Sequence, residues 1–247
     1  MLAPIRALLP TAPIVYAADS EYYPYGTKTS KQIEARVPFM LRRLAERFEP
    51  ELIVIACNTA STIALDPVRA ALNVPIVGTV PAIKPAAALS KTRAIGVLGT
   101  EATIRQPYVD WLAEEFASDC AIVRHDSAEL VDLAEAKLRG EPTDPAAYPR
   151  ILGDMLAKPG GDRIDVIVLA CTHFPLVGDE LSSATPRPIA FVDGKEGIAR
   201  RTAWLTRDHV WPETAPAGIA LFTGGAEKAA PYREGLKRFG LTEFPSL

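Results

Sequence analysis

The sequence predicts an α/β protein with parallel sheets. Short β-branched runs alternate with helical stretches along the chain, and this order is typical of that class. The runs are almost continuously apolar, as expected of strands that are covered on both faces. The dipeptide Ala-Cys ends two of them, at Cys57 and Cys171. This recurrence indicates two similar lobes.

The predicted strands follow one another at short intervals. Each is bounded by polar, glycine or proline residues, which are typical of turns. Eight runs are predicted to be strands, at residues 12–19, 51–58, 74–80, 93–100, 120–126, 165–172, 189–194 and 218–225.

Several of the intervening stretches have a helical pattern. Residues 2–9 predict a helix that has no strand before it. Residues 30–48 and 128–140 predict longer helices, and Gly140 suits the end of the second one because glycine readily adopts a left-handed conformation. The segment 81–93 contains two prolines and is predicted to mark a boundary between the lobes.

The composition excludes several classes of partner. The 247 residues are 48% hydrophobic, which suffices for one large core or two small ones. The net charge is −3 and no basic block occurs, so nucleic acid is not expected as a partner. No apolar run approaches the roughly 18–20 residues of a membrane helix, and the N-terminus has no signal-peptide pattern. We therefore expect no membrane association.

The cysteines and histidines are few and scattered. An odd count of three cysteines argues against a disulfide framework and for a reducing cytoplasm. No Cys-x-x-Cys or His-x-x-x-His spacing occurs, so no metal site is predicted. The stretch “GVLGTEAT” lacks the spacing and the lysine of a phosphate-binding loop. We predict a cytoplasmic protein whose activity needs no metal, pyridoxal phosphate or nucleotide.

Two of the cysteines stand where α/β sheets bind ligands. Cys57 and Cys171 are predicted at the carboxyl ends of strands. Each leads toward a helix, whose N-terminal amides attract anions and lower a thiol pKa. Asn58–Thr59 and Thr172–His173 then supply donors, which suits acid–base chemistry on a small anionic substrate. The simpler interpretation is that such a cysteine only fills the hydrophobic core. It stays open for Cys57 and Cys171, and it is our interpretation of Cys120.

A pair of thiols in one site would suit inversion of a stereocentre. One group removes a proton from one face of a carbon atom, and the second delivers a proton to the opposite face. The two groups exchange roles in the reverse direction. Nothing in the spacing of Cys57 and Cys171 shows that they face each other.

Four motifs in order carry a resemblance to a known family. They are “PYGTK” at 24–28, “ACNTAS” at 56–61, “GVLGTEAT” at 96–103 and “ACTHFPL” at 170–176. With them the chain resembles glutamate racemases of the cofactor-independent aspartate/glutamate racemase superfamily, over nearly its whole length. “VDGKEGIARR” and “LFTGG” extend the resemblance toward the C-terminus. It implies two Rossmann-like lobes with mostly parallel sheets and an active site in the cleft between them.

The resemblance also implies roles for individual residues. Cys57 and Cys171 would be the catalytic acid/base thiols, with His173 and Glu135 assisting Cys171. The alternative that Glu135 is a solvent-exposed charge on a helix stays open. Without the resemblance, His173 would be interpreted as a structural residue. The residues implied to bind the substrate are Tyr25, Gly26, Asn58, Thr59, Thr172 and His173. Tyr25–Gly26 also reads as an ordinary turn.

Three departures from the family pattern occur. Gly194 replaces a serine that is common in the family, and Phe174 replaces a usual tyrosine. The family's first strand and its Asp-Ser-Gly loop would lie before Met1. The predicted lobes are therefore 1–81 plus 193–247, N-terminally incomplete, and 82–192. Two explanations stay open: the start codon was assigned too far downstream, or the protein has truly lost this strand and loop. In either case we expect the chain as given to be a poor enzyme.

Three functions follow from these observations. The first is interconversion of L- and D-glutamate, which supplies D-glutamate for peptidoglycan. The second is racemisation of another acidic amino acid, such as aspartate. The third is a non-catalytic binding protein, because some members of the family bind DNA gyrase. A homodimer and gyrase binding are left open by the sequence.

Overall fold

The predicted α/β fold is confirmed by a computed structural model, which describes residues 1–246 apart from the side chain of Ala226. Every strand pair in this part of the chain is parallel. The strands are β1 (Val15–Ala18), β2 (Ile53–Ile55), β3 (Ile76–Gly78), β4 (Ala94–Gly99), β5 (Ala121–Asp126), β6 (Val166–Ala170), β7 (Ala190–Val192), β8 (Gly218–Phe222) and β9 (Leu241–Glu243).

Helices lie between most of these strands, as the prediction requires. They are α1 (Leu2–Leu8), α2 (Ser30–Phe48), α3 (Asn58–Ala71), α4 (Ile83–Leu89), α5 (Glu101–Ile104), α6 (Pro107–Ala117), α7 (Ala128–Arg139), α8 (Ala147–Leu156), α9 (Gly178–Ser183), α10 (Lys195–Leu205) and α11 (Arg233–Lys237). None of the helices within residues 1–246 is both long enough and apolar enough to cross a membrane.

The strands form two groups, which define the two lobes. The first lobe contains a three-stranded sheet of order β1-β8-β9 and the separate pair β2-β3. The second lobe contains a four-stranded sheet of order β5-β4-β6-β7. Because β8 and β9 return to pair beside β1, the first lobe is discontinuous in sequence. The boundaries at 82 and 192 separate the two strand groups and remain a prediction.

The sheet of the second lobe is buried on both faces. Every residue of β4 and β6 is buried, which explains their continuously apolar sequences. Ile167 and Leu169 pack into the hydrophobic cluster on one face, whereas Val166 and Val168 pack into the cluster on the other. This packing fixes the register of β6, and therefore the position of Cys171 at its end.

The long helices begin and end where the sequence predicts. In α2 the Thr29 hydroxyl accepts from the Gln32 amide, and the Gln32 side chain accepts in return from the Thr29 amide, which is a capping box. The helix α7 ends at Gly140, whose φ of 78° is left-handed. The segment 81–93, predicted as a boundary, contains α4. The short polar strand β9 was not predicted, because it has no apolar run.

Asp165 ties the start of β6 to the turn before β4. Its carboxylate accepts hydrogen bonds from the Ser90 hydroxyl at 2.6 Å and from the amides of Lys91 and Thr92 at 2.7 and 3.0 Å. Burial raises the pKa of this carboxyl, but the hydrogen bonds outweigh burial and lower the pKa to about 2. Asp165 therefore stabilises the lobe in its ionised form.

We expect Asp165→Asn to lower the free energy of unfolding by about 1–3 kcal/mol at pH 7, because a neutral amide oxygen is a weaker acceptor than a carboxylate for the two backbone donors. The folded pKa lies below the unfolded value of about 3.9. The difference from the parent should therefore be complete above about pH 4 and should shrink as the pH falls toward 2. Urea unfolding at pH 7 and pH 3 measures it. Asp162→Asn, at an exposed carboxylate nearby, is the control, and an equal loss there would contradict the argument.

Candidate active site

Cys57 caps the helix α3 at the carboxyl end of β2. Its backbone is extended, and the Ala60 amide donates to its sulfur at 3.4 Å. Burial raises the pKa of this thiol to about 11; the amide of Ala60 and the amide and hydroxyl of Thr59 act against this rise, and the charge of Cys171 adds to it. The amides at the helix N-terminus thus lower this pKa as the sequence predicts, but the net pKa is raised. Desolvation outweighs the amides.

Cys171 begins a chain of three side chains at the end of β6. Its sulfur lies 3.6 Å from Nδ1 of His173, and Nε2 of His173 lies 2.7 Å from Oε1 of Glu135 on α7. The side chain of Glu135 is only 13% exposed, and Arg139 lies 3.6 Å from its second oxygen. Glu135 is thus not a solvated helix charge.

The proton equilibria of this chain of groups favour an ion pair. Burial lowers the pKa of His173, but hydrogen bonds with Cys171 and Glu135 outweigh burial and raise the pKa to about 10. Burial likewise raises the pKa of Glu135, but His173, Tyr232 and Arg139 outweigh it, so the pKa is lowered. A cationic His173 beside the sulfur stabilises negative charge on Cys171. The two thiols therefore have opposite surroundings.

The segment after Cys171 differs from the one after Cys57. It forms a 3-10 turn over Phe174–Val177, and α9 begins only at Gly178. Phe174 is fully buried in the second lobe, which holds the turn against the core. The tyrosine-to-phenylalanine departure leaves no unpaired hydroxyl there. Cys171 therefore relies on His173 rather than on an α-helix N-terminus.

Tyr25 and Gly26 lie in a short turn on the first lobe. The Tyr25 hydroxyl donates to Asp19 at 2.7 Å, and Arg36 also holds that carboxylate at 2.7 and 2.8 Å. The Tyr25 hydroxyl is thus already engaged within its own lobe. A Cβ atom on Gly26 would lie 2.8 Å from Cβ of Thr100 in the second lobe. Glycine is needed here because the two lobes approach so closely.

Asn58 and Thr59 lie in the first turn of α3 and are buried. Asn58 is 4% exposed, and its Oδ1 atom has no hydrogen-bond partner within residues 1–246. A buried acceptor without a partner is costly, and a substrate ammonium group would satisfy it. The Thr59 hydroxyl lies 3.0 and 2.9 Å from the hydroxyls of Thr100 and Thr103.

Thr172 joins the two strand ends. Its hydroxyl donates to the carbonyl oxygen of Ala56 at 2.9 Å. Ala56 precedes Cys57 and Thr172 follows Cys171, so this bond brings the two cysteine-bearing segments of opposite lobes together. Nowhere in the described chain do three or more metal-ligating side chains cluster in a way that could hold a metal ion.

Sequence reasoning missed four residues at this site. Thr100 and Thr103 lie inside the stretch “GVLGTEAT”, which carries part of the family resemblance but was given no site residue. Arg139 and Tyr232 reach Glu135 from two elements, and the Tyr232 hydroxyl accepts from Arg139 at 3.4 Å. Only the hydroxyls of “GVLGTEAT” offered a sequence signal. The position of Tyr232 depends on the return of the C-terminal segment to the cleft.

The fold defines a class of two-lobed α/β proteins with parallel sheets, here with a strand-end cysteine in each lobe. The comparisons agree with this fold class. A family model described as Asp/Glu/Hydantoin racemase matches residues 1–202. The chain belongs to this family of racemases.

Named relatives cover almost the whole chain. Glutamate racemase of Sphingopyxis alaskensis is 57% identical over 241 residues, which are 98% of this chain and 90% of the relative. Glutamate racemase of Salmonella typhimurium is 43% identical over 98% of this chain and 86% of its own length. The crystal structure of Escherichia coli glutamate racemase in complex with L-glutamate and an activator matches with a TM-score of 0.90 and 41% identity, over 99% of this chain and 91% of that chain.

We expect Glu135→Gln to destabilise the protein in a pH-dependent way. The raised pKa of His173 contributes stability that is complete below about pH 6.5 and lost as the pH rises through about 10. The lowered pKa of Glu135 contributes stability above about pH 4.3 that is lost on acidification. Unfolding free energies should therefore differ by about 1–2 kcal/mol near pH 6, and by less near pH 10.

The control is Glu129→Gln on the same helix. Glu129 pairs with Arg150 at 2.6 Å, but both side chains are largely exposed. We expect this change to cost less than about 0.5 kcal/mol at either pH. A pH-independent loss in Glu135→Gln would contradict the ion pair.

Proposed function

We propose that this protein interconverts L- and D-glutamate by acid–base catalysis with Cys57 and Cys171. The observation that carries the proposal is the pair of thiols in unlike surroundings, brought together from two lobes by the Thr172–Ala56 hydrogen bond. The glutamate racemases that it resembles support the choice of substrate. In the cell it would act in the cytoplasm and supply D-glutamate for peptidoglycan.

The reaction moves one proton on each face of the α-carbon. The thiolate of one cysteine removes the α-proton, and the electron pair of the C–H bond stays on the carbon and spreads into its carboxylate. The thiol of the other cysteine then gives its proton to the opposite face, which inverts the centre. The enzyme ends with the protonation states of the two sulfurs exchanged, and proton exchange with water restores them.

The resting protonation states follow from the surroundings of each thiol. Cys57 has a raised pKa of about 11 and remains protonated near neutral pH. Cys171 lies 3.6 Å from His173, which is held as a cation by Glu135. The resting enzyme therefore has an acid at Cys57, and its other sulfur lies beside a cation. The first half of the reaction needs an acid on one face of the carbon and a base on the other.

The polar groups beside the thiols would hold the amino acid. The Oδ1 atom of buried Asn58, which has no partner within residues 1–246, would accept a hydrogen bond from the ammonium group of the amino acid. The amides in the first turn of α3 would bind a carboxylate, because the N-terminus of a helix attracts anions. Thr172 and His173 would contribute from the second lobe, and Tyr25 and Gly26 would close the first lobe by backbone contacts. The cleft would thus orient both faces of the α-carbon toward sulfur.

We expect each cysteine to serve one enantiomer. Cys57→Ser should lower the rate at which the α-proton of one enantiomer exchanges with solvent deuterium, by about 100-fold or more. It should leave exchange for the other enantiomer, because Cys171 can still remove and return a proton on its own face. Cys171→Ser should show the mirror pattern. NMR of L- and D-glutamate incubated separately in heavy water measures this.

The control for the exchange experiment is Cys120→Ser. Cys120 precedes β5, and its sulfur has only the neighbouring Asp119 as a hydrogen-bond partner among the described residues, so both exchange rates should remain. Because the equilibrium constant of a racemisation is one, kcat/KM falls equally in both directions and cannot make this distinction. Equal, mild effects of both substitutions on both enantiomers would count against a two-thiol mechanism.

The substrate assignment is tested with glutamate and aspartate side by side. Circular dichroism follows the loss of optical activity in solutions of L-glutamate, D-glutamate and L-aspartate. We expect this loss to be faster with both enantiomers of glutamate than with L-aspartate. Faster loss with aspartate would assign the second function. No loss with either, from a protein that is folded by thermal unfolding, would favour a non-catalytic binding protein. The Cys57→Ser variant supplies the inactive baseline.

We expect racemisation to survive removal of metal ions and pyridoxal phosphate. Thiols and hydrogen-bond donors account for both proton transfers, so neither a Lewis acid nor an imine is required. Dialysis against a strong chelator, followed by hydroxylamine treatment and a second dialysis, should leave kcat within about twofold. Activity that disappears and returns with a metal or with pyridoxal phosphate would refute this expectation.

A further inference from the structure

Arg139, the last residue of α7, lies between two carboxylates. Its Nε and Nη2 atoms donate to the two oxygens of Glu141 at 2.8 and 2.7 Å, which is a fork of two parallel hydrogen bonds. Its Nη1 atom lies 3.6 Å from Oε2 of Glu135, which is too far for a hydrogen bond. The guanidinium group thus forms its short contacts with the outer carboxylate, whose side chain is 51% exposed. These contacts with Glu141 are also the main cause that raises the pKa of Arg139.

The pair that forms is not the one that the helix alone would favour. Glu135 and Arg139 are four residues apart with the acid on the N-terminal side, which is the better arrangement for an ion pair on a helix. The side chain of Glu135 is only 13% exposed, and opposite charges attract more strongly where water is excluded. Both arguments predict a close contact between Arg139 and Glu135. The observed separation of 3.6 Å therefore needs a cause elsewhere in the fold.

The turn that ends α7 supplies this cause. Gly140 has a left-handed φ of 78°, and the amide of Glu141 donates to the Ala136 carbonyl at 2.9 Å. This C-terminal cap reverses the chain, so Glu141 lies beside Arg139 although the two are only two residues apart. On the inner side of the guanidinium group, the Tyr232 hydroxyl accepts from Nη1 at 3.4 Å. Arg139 is thus held by partners other than Glu135.

The separation of Arg139 from Glu135 matters to His173. Oε1 of Glu135 lies 2.7 Å from Nε2 of His173, and Nδ1 of the same ring lies 3.6 Å from the sulfur of Cys171. A close Arg139 would share the carboxylate with the imidazole and would bring a second positive charge toward it. Because like charges disfavour the charged form of each other, a close Arg139 would make the His173 cation less stable.

The other titratable groups around Glu135 do not compete with His173 in this way. They are neutral tyrosines, whereas Arg139 carries a full positive charge. Burial raises the pKa of Glu135; among the groups that lower it, His173 comes first and the charge of Arg139 comes after Tyr232. The groups that face this carboxylate are His173 after β6, Arg139 on α7, Tyr16 on β1, Tyr23 before the turn of the first lobe and Tyr232 in the C-terminal segment.

We propose that Glu141 is a positioning residue for proton transfer at Cys171, because it holds the guanidinium group of Arg139 away from Glu135. The charge of Glu135 is then left to His173. An exposed carboxylate beyond the end of α7 thereby maintains the ion pair that stabilises negative charge on the second sulfur. The role at Cys171 rests on the proposed function, whereas the effect of Glu141 on His173 does not.

The first test titrates His173 in the full chain and needs no substrate. The chain has three histidines, so NMR of the protein labelled with ¹³C-histidine gives few signals, and His173→Gln identifies the one that disappears. The pKa in the parent should be about 10. In Glu141→Gln the guanidinium group is free to approach Glu135. The pKa of His173 should then fall by about half a unit, which is about a threefold change in its ionisation constant.

A double variant separates this route from the simple loss of a negative charge. Arg139→Gln removes the competing cation, so the pKa of His173 should rise. Adding Glu141→Gln should then change nothing, because the group through which Glu141 acts is gone. The matched control is Glu129→Gln, which breaks a similar exposed pair with an arginine on the same helix and should leave the pKa at the parental value. A parental pKa in Glu141→Gln, an undiminished fall in the double variant, or an equal fall in the control would overturn the proposal.

The second test measures deuterium exchange of L- and D-glutamate separately. Because His173 lies beside Cys171, Glu141→Gln should slow exchange of the enantiomer that Cys171 serves by about threefold. Exchange of the other enantiomer should stay at the parental rate. Equal slowing of both enantiomers would indicate a general structural effect and would overturn the role at Cys171. If the parent exchanges neither enantiomer while His173 responds as expected, the proposed function is wrong and the effect of Glu141 on His173 is upheld.

Discussion

The hydrogen bond from the Thr172 hydroxyl to the Ala56 carbonyl holds the site together. It spans 2.9 Å between the segments that follow β6 and β2. The Thr59 hydroxyl also lies 3.0 and 2.9 Å from those of Thr100 and Thr103 across the same junction. These hydroxyl contacts fix the relation between the two strand ends that carry Cys57 and Cys171. The proposed mechanism requires this fixed relation, because both sulfurs would have to address the same carbon.

The two cysteines, held in this fixed relation, differ in their surroundings. Cys171 has an imidazole at 3.6 Å and a carboxylate behind it, so charge on its sulfur is compensated within the second lobe. Cys57 has backbone amides and hydroxyls but no ion of its own among the described residues. Two chemically identical groups thereby have unlike electrostatic surroundings.

Local signals explain what the sequence could predict. The limits of α2 and α7 follow from caps within a few residues of each end, and the buried strands follow from their apolar runs. The strand-end positions of Cys57 and Cys171 could be read in the same way, because each follows an apolar run directly. The assignment of Glu135 rested on resemblance, since helix periodicity cannot tell a buried carboxylate from a solvated one.

Long-range packing explains what the sequence could not predict. The raised pKa of Cys57 depends on its burial in the folded protein, where it packs against the cluster that contains Ile33 and Val37, and no local pattern reports this burial. Thr59 meets Thr100 across 41 residues of sequence, and both are ordinary polar residues in their own motifs. The strand β9 has two exposed positions out of three and forms only because β8 offers an edge to it. In each case the property depends on a contact with residues that are distant in sequence, so the local sequence does not predict it.

The lobes are joined by hydroxyl groups, and this choice has a physical consequence. Within residues 1–246 every ion pair links residues of the same predicted lobe, whereas each side-chain hydrogen bond between lobes has a hydroxyl as donor or acceptor. Examples are Thr172 to Ala56, Tyr23 to Asp132 at 3.2 Å and Arg139 to Tyr232. An ion pair at the junction would fix a local potential and favour one protonation state of the nearby thiols. A hydroxyl can turn from donor to acceptor without moving its oxygen. In the proposed mechanism, the junction can therefore keep its geometry while a negative charge passes from one sulfur to the carbon and on to the other.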